Sequence, residues 1–194
     1  MTDKQETKLM RVISGKAKGR RLKSVRGPGT RPVTDRAKTA FFDILGRGVV
    51  HSHFLDLFAG TGQVGIEALS RDAERVVFVE QGYLPLKAIR ENLALTKLAE
   101  RAQVLRADVF GYLRHPTEAF HYIYIAPPQY RGLWKQALLL VDLQPEWLTL
   151  EGWVVVQIHP KEYEKLELQH LELFDQREYG SVMFCFYRVS QVVG

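Results

Sequence analysis

A short apolar strand that runs directly into a glycine-rich turn constrains this chain most. His53 to Phe58 reads as a buried strand, and Ala59-Gly60-Thr61-Gly62-Gln63-Val64-Gly65 follows it at once. A helix over 63–70 comes next, then a second apolar strand, Arg75 to Glu80. Strand, glycine turn, helix and strand make a parallel βαβ unit. The alternation continues with a helix over 84–97, strands at 103–107 and 120–125, a helix over 133–141 and a strand at 153–158. Two strand-like segments, 166–174 and 182–189, follow with Tyr179-Gly180-Ser181 as a turn and no helical pattern between them. They predict a C-terminal antiparallel hairpin. The whole reads as an α/β fold, a mostly parallel sheet with helices on both faces.

Charge divides the chain in two. Residues 1–52 hold 13 Lys+Arg against 4 Asp+Glu, a net of +9, while residues 53–194 hold 14 against 18, a net of −4. We expect a basic N-terminal extension over 1–50, made of a β-hairpin and a helix, and a catalytic domain over 51–194. Arg11 to Gly15 and Arg20 to Val25 flank a Gly/Lys turn and predict the hairpin. Gly27 to Pro32 is punctuated as a loop, and Thr34 or Asp35 caps the helix that carries Ala40, Phe41, Ile44 and Leu45. A cationic arm on a near-neutral body suits a phosphate polyanion. The candidate RNA contacts are Arg11, Lys16, Lys18, Arg20, Arg21, Lys23, Arg31, Thr34 and Arg36.

Other classes fit poorly. No apolar run approaches the ~20 residues of a membrane helix. The N-terminus lacks an apolar signal core, and Cys185 stands alone. The six histidines show no metal-ligand spacing. We therefore expect a cytoplasmic monomer without metal or membrane partner.

The glycine turn selects a ligand class. Gly60-Thr61-Gly62-Gln63-Val64-Gly65 matches a dinucleotide fingerprint, and Glu80 lies 20 residues after Gly60 at the tip of the second strand. Asp56, at the end of the first strand, repels a pyrophosphate by about 1 kcal/mol or more. S-adenosylmethionine carries an ammonium and a sulfonium, and a carboxylate helps both. Asp56 thus argues for that donor over NAD. Gly60 and Gly62 let the backbone approach it, and Glu80 accepts the ribose hydroxyls. Asp108 has two compatible roles, accepting from an adenine amine and capping the helix at Val109.

The fourth strand runs into Ala126-Pro127-Pro128-Gln129-Tyr130. Each proline removes a donor, so this loop offers carbonyl oxygens to a planar amine. Together these motifs resemble the RsmD-type class I methyltransferases, which methylate guanine N2 in small-subunit rRNA. The resemblance covers Arg11-Val12-Ile13-Ser14-Gly15, Gly19-Arg20-Arg21-Leu22, Arg31-Pro32-Val33-Thr34-Asp35-Arg36, Asp56 to Gly62, and Gly65 to Arg71. It implies a Rossmann-like seven-stranded sheet, S-adenosylmethionine as donor, and 16S rRNA or a 30S assembly intermediate as substrate. The implied donor contacts are Asp56, Phe58, Ala59, Gly60, Thr61, Gly62, Glu80, Gln81, Asp108 and Val109. The implied catalytic loop is Ala126, Pro127, Pro128, Gln129 and Tyr130. The chain departs from the family there: Ala126 stands where the family has an acid, and Gln129 where it has an aromatic residue. An RNA-binding assembly factor with little or no transfer activity, and an adenine-N6 methyltransferase, are the alternatives this leaves open.

Overall fold

Val76, Val77, Phe78 and Val79 are inaccessible to solvent on both sides, as a continuous apolar run requires of an inner strand. The structure, a computed structural model, describes residues 10–25 and 33–190. Its strands are β1 (His53–Leu57), β2 (Arg75–Glu80), β3 (Ala102–Arg106), β4 (Phe120–Ile125), β5 (Leu148–Ile158), β6 (Leu171–Tyr179) and β7 (Val182–Val189). They form one sheet in the order β3-β2-β1-β4-β5-β7-β6. The strands β3, β2, β1, β4 and β5 pair in parallel, and β7 runs antiparallel to both β5 and β6.

The helices are α1 (Asp35–Leu45), α2 (Gln63–Ser70), α3 (Tyr83–Thr96), α4 (Val109–Tyr112) and α5 (Leu133–Asp142). Successive strand residues point to opposite faces, so Phe54, Val76 and Phe78 meet α1, α2 and α3 while Leu55, Val77 and Val79 meet α4 and α5. Chain order reverses between β1 and β4. A crevice opens there, beyond the carboxyl ends of the strands. Among the described residues no helix is long and apolar enough to cross a membrane, and no group of three or more His, Cys, Asp or Glu gathers as a metal site.

Three expectations shift. The N-terminal hairpin reduces to one antiparallel bridge, Arg11 to Arg21, with Val12 N–H donating to Arg20 O (3.0 Å) and Leu22 N–H to Met10 O (2.8 Å). Gly19 N–H still reaches Val12 O (2.9 Å), but three other donors turn to the body: Lys16 N–H to Ser70 O (2.8 Å), Ala17 N–H to Ser70 Oγ (2.9 Å) and Lys23 N–H to Asn92 Oδ1 (2.7 Å). Gly15, at φ +79°, lies so close to α2 that a Cβ would meet Ser70 O at 1.8 Å. The fifth strand begins earlier, at Leu148. The sixth begins later, at Leu171, because Asp142 draws in the N–H groups of Gln169, His170 and Leu171 and holds the preceding segment as a loop. The Gly27-to-Arg31 part of the expected loop, Pro32 and the first nine residues lie outside the described residues.

The arm changes the status of α2, every residue of which is buried. Such a helix needs cover on both sides. The sheet supplies one, and Met10, Val12, Ala17 and Leu22 join the same core from the other. Glu67, wholly buried on α2, organises the contact. Its carboxylate accepts from Ile13 N–H (2.8 Å), Ser14 N–H (2.9 Å) and Arg71 Nε (3.0 Å), and Lys38 Nζ lies 3.3 Å away. Lys38 also donates to Arg11 O at 2.6 Å. Burial pushes the Lys38 ammonium below its ordinary value, and the Glu67 carboxylate opposes that shift. Removing one member of a buried pair strands the other charge, at about 3–5 kcal/mol. Urea unfolding should therefore show Lys38→Met destabilised by roughly that amount. A loss no larger than that of an exposed pair would contradict this role.

Candidate active site

The carboxyl ends of β1, β2, β3 and β4 surround a cavity of about 620 Å³. Asp56, Phe58, Ala59, Gly60 and Thr61 line it from the first tip, and Glu80 and Gln81 from the second. Asp108 and Val109 come from the third, and Ala126, Pro127, Pro128 and Gln129 from the fourth. Residues far apart in the chain thus converge where the sequence placed them. Gly62 and Tyr130 are not in the lining. A Cβ on Gly62 would meet Ile89, Ile66 and Phe78 at 3.2–3.3 Å, so the φ of +77° and the packing beneath the turn both call for glycine here. The Tyr130 ring is exposed, 5.8 Å from the ring of His159.

The acids differ in their surroundings. Asp56 is buried, and its Oδ2 accepts from Gly65 N–H at 3.0 Å. Burial pushes its carboxyl from 3.8 up to about 8; the Gly65 hydrogen bond opposes this and the Glu80 charge adds to it. Glu80 gathers Gly60 N–H on Oε2 (2.9 Å) and Gly82 N–H on Oε1 (2.7 Å), which fixes the glycine turn to the tip of β2. Asp108 caps α4 through Gly111 N–H at 2.8 Å. Each of these bonded oxygens keeps a second lone pair after its one backbone bond.

Phe58 adopts φ +57°, a left-handed conformation that bulky residues avoid. Its ring meets Phe110 edge-on at 6.0 Å, forming an apolar wall. Nothing in the sequence marks that strain. The Pro-Pro loop is anchored at its far end, where Tyr130 N–H donates to Glu162 Oε1 at 2.6 Å. Glu162 Oε2 also accepts from His159 N–H at 3.3 Å, in a capping box that follows β5.

Several lining residues carry no sequence signal. Gln157 on β5 accepts from the Tyr124 hydroxyl of β4, and burial raises that phenol well above its usual value. Met10, Ser24, Val25 and Val33 bring the basic arm to the cavity wall. Asn92 joins arm to turn: it pairs with both Lys23 N–H (2.7 Å) and Lys23 O (3.1 Å) and donates to Thr61 O (3.0 Å).

Seven of the candidate RNA contacts, Arg11, Lys16, Lys18, Arg20, Arg21, Lys23 and Arg36, are exposed on the arm. Arg11, Lys16 and Lys23 pair with Asp35 (2.9 Å), Asp72 (2.5 Å) and Glu91 (2.9 Å). Lys18, Arg20, Arg21 and Arg36 are exposed without an ion pair among the described residues. Thr34 Oγ1 accepts from Ala37 N–H at 3.2 Å as the cap of α1, and Arg31 lies outside the described residues.

This strand order, with a glycine turn and acids at three neighbouring strand tips, defines a class I methyltransferase. The chain belongs to the family described as Conserved hypothetical protein 95, whose model matches residues 10–188. It is 36% identical over 183 residues to YlbH of Bacillus subtilis, provisionally named an rRNA methyltransferase, covering 92% of this chain and 98% of the relative. It is 30% identical over 182 residues to ribosomal RNA small subunit methyltransferase D of Haemophilus influenzae, covering 92% and 93%. The solved Escherichia coli protein yhhF, provisionally titled a methyltransferase, matches with TM-score 0.82 at 27% identity, over 94% of this chain and 98% of that one.

Burial of Asp56 has a measurable consequence. The unfolded chain releases this proton near 3.8 and the folded chain near 8. Between those values the folded state binds the extra proton, so Asp56 lowers stability as pH rises through the interval and adds nothing further above it. The carboxamide of Asp56→Asn keeps an acceptor for Gly65 N–H and does not titrate. Its urea midpoint should gain on the wild type as pH rises from 3.8 to about 8. A difference that stays constant with pH would contradict the assignment.

Proposed function

We propose that this chain transfers a methyl group from S-adenosylmethionine to the exocyclic N2 amine of a guanine in small-subunit (16S) rRNA. One observation carries the reading: the acid-lined glycine turn, the Pro-Pro loop and the basic arm all line a single cavity. The names of the relatives support rRNA as the substrate class.

S-adenosylmethionine, when bound, supplies an electrophilic methyl group on a sulfonium sulfur. The residues present suit it. Glu80 offers acceptors for ribose hydroxyls, Asp108 for an adenine amine, and Asp56 a counter-charge for the cationic methionyl end. The Phe58–Phe110 wall limits water. Asp56 forms no ion pair among the described residues, so a positively charged ligand favours its ionised form. A pyrophosphate gains no counter-charge from Asp56 while it is neutral and is repelled once it ionises, which is the argument against NAD.

The Pro127 carbonyl, on a loop held by Glu162, is a fixed acceptor for one proton of the target amine. Drawing that proton aside leaves the nitrogen lone pair free for direct displacement, a reaction governed by positioning. Ala126 offers no side-chain acceptor, and loss of one positioned polar group costs about 10²–10³ in rate. The exposed Tyr130 ring is available for base stacking, worth roughly 1–3 kcal/mol. Among the described residues of the arm, Lys18, Arg20, Arg21 and Arg36 form no ion pair and are open to phosphates.

Ala126 also favours a second reading, an RNA-binding assembly factor without transfer activity. Tritiated donor and undermodified small subunits separate the readings. Label in rRNA that digests to N2-methylguanosine supports the proposal, and N6-methyladenosine supports an adenine enzyme. No label, with a control enzyme active and Ala126→Asp restoring transfer, supports the assembly factor. If the arm meets phosphate, Arg20→Ala combined with Arg21→Ala should lower the salt slope of rRNA binding by about 1.5 in log–log terms. An unchanged slope would remove the arm from the RNA interface.

A further inference from the structure

Two side chains at the end of the Pro-Pro loop part at the cavity rim. Arg131 lines the cavity, while Tyr130, one residue earlier, does not. Tyr130 is 66% exposed and adopts φ +60°, a left-handed backbone that a tyrosine holds only when its surroundings enforce it. Glu162 enforces it. One of its carboxylate oxygens accepts from Tyr130 N–H at 2.6 Å, and the other from His159 N–H at 3.3 Å. The ring stands 5.8 Å from that of His159 and gains little burial in return. Folding alone does not reward a strained tyrosine turned toward solvent. An occupant with a flat face does.

Arg131 narrows the class of occupant. Among the described residues it is the one cation in the lining, against Asp56, Glu80 and Asp108, and it forms no ion pair. It is also exposed. Such a guanidinium suits a phosphate, which it grips with two parallel N–H bonds. S-adenosylmethionine has no phosphate. An RNA strand has one at every step, with a flat base beside it, and stacking next to a cation is how single strands are held. The geometry also selects the nucleotide. A guanine drawn to the Pro127 carbonyl lies inside the cavity, and the Tyr130 ring is not part of that wall. Adjacent Cα atoms are only about 3.8 Å apart, so a strand leaving the cavity past Arg131 meets Tyr130 with its next nucleotide.

We propose that Tyr130 and Arg131 form a subsite for the nucleotide next to the methyl-accepting one. Arg131 pairs with the phosphate that joins the two nucleotides, and the Tyr130 ring stacks on the neighbouring base. Glu162 serves this subsite by fixing the Tyr130 backbone. The subsite rests on the rRNA reading above and adds to it a requirement for a flanking base.

Undermodified small subunits supply the test substrate, and the labelled nucleotide marks the site. Tyr130→Ala should lower kcat/KM by about 5- to 150-fold, and Tyr130→Phe should recover most of that loss. Arg131→Gln should lower the salt slope of rRNA binding by about 0.7 in log–log terms, with calorimetric affinity for S-adenosylmethionine intact. The deciding arm uses subunits reconstituted with 16S rRNA that lacks the base on one side or the other of the labelled nucleotide. On one of these two substrates the loss from Tyr130→Ala should vanish. An equal loss on the intact and both abasic substrates puts the ring on the target base or on a protein of the particle, and overturns the subsite. Undiminished kcat/KM in Tyr130→Ala overturns it too. So does weaker binding of S-adenosylmethionine to Arg131→Gln that decarboxylated S-adenosylmethionine does not share, which gives Arg131 to the donor carboxylate. In each of these cases the wild type still labels RNA and the methyltransferase reading stands. A wild type that labels no RNA removes both.

Discussion

The buried carboxylate of Glu67 is the constraint on which the rest of the architecture depends. A charge in this position is tolerable only when its lone pairs are filled. Ile13, Ser14, Arg71 and Lys38 fill them from the arm, α2 and α1. The same ionic cluster therefore seals α2 against the sheet and fixes the arm against α2. Without the arm, Glu67 and Ser70 would have to find water, and the outer side of an almost wholly buried helix would be bare.

This attachment decides the shape of the site. The open end of a parallel sheet gives a crevice, not an enclosed pocket. Here the arm closes one side, and three amide or carboxylate links hold it there: Glu67 near its start, Asn92 at Lys23, and Gln63 at Val33. Two of those links come from the glycine turn or reach it directly, since Asn92 also holds Thr61 O. The segment with most of the chain's excess positive charge is thereby part of the wall of the same cavity as the glycine turn. A polyanion held by the arm and a ligand held at the turn would act on one set of hydrogen bonds, which is the physical requirement for coupling between them.

Much of this was legible from residue order. Buried strands with successive aliphatic residues, the glycine turn and the C-terminal hairpin announced a mostly parallel α/β sheet, the family resemblance implied seven methyltransferase strands, and β2, β4 and β7 occupy the expected residues. The tips of four strands supplied nearly all the expected lining. The misses share a cause. The N-terminal hairpin was inferred from local β-propensity, but the donors of Lys16, Ala17 and Lys23 go to Ser70 and Asn92, more than 50 residues away. The late start of β6 follows from Asp142, on a helix 27 residues earlier than its first acceptor contact. Gly62 and Tyr130 stand outside the cavity lining, Tyr130 with its ring exposed.

What the sequence by itself determined is the set of elements and the chemistry at the strand tips, because periodicity, turn residues and the acids Asp56, Glu80 and Asp108 are properties of short stretches. Only the tertiary structure decided that Asp56 sits in an interior that keeps it protonated near neutrality, that Phe58 is strained, and that Tyr130 is turned out of the cavity that Arg131 lines. Those are consequences of desolvation and of partners brought together across the chain. Neither is encoded in the identity of a residue or its immediate neighbours.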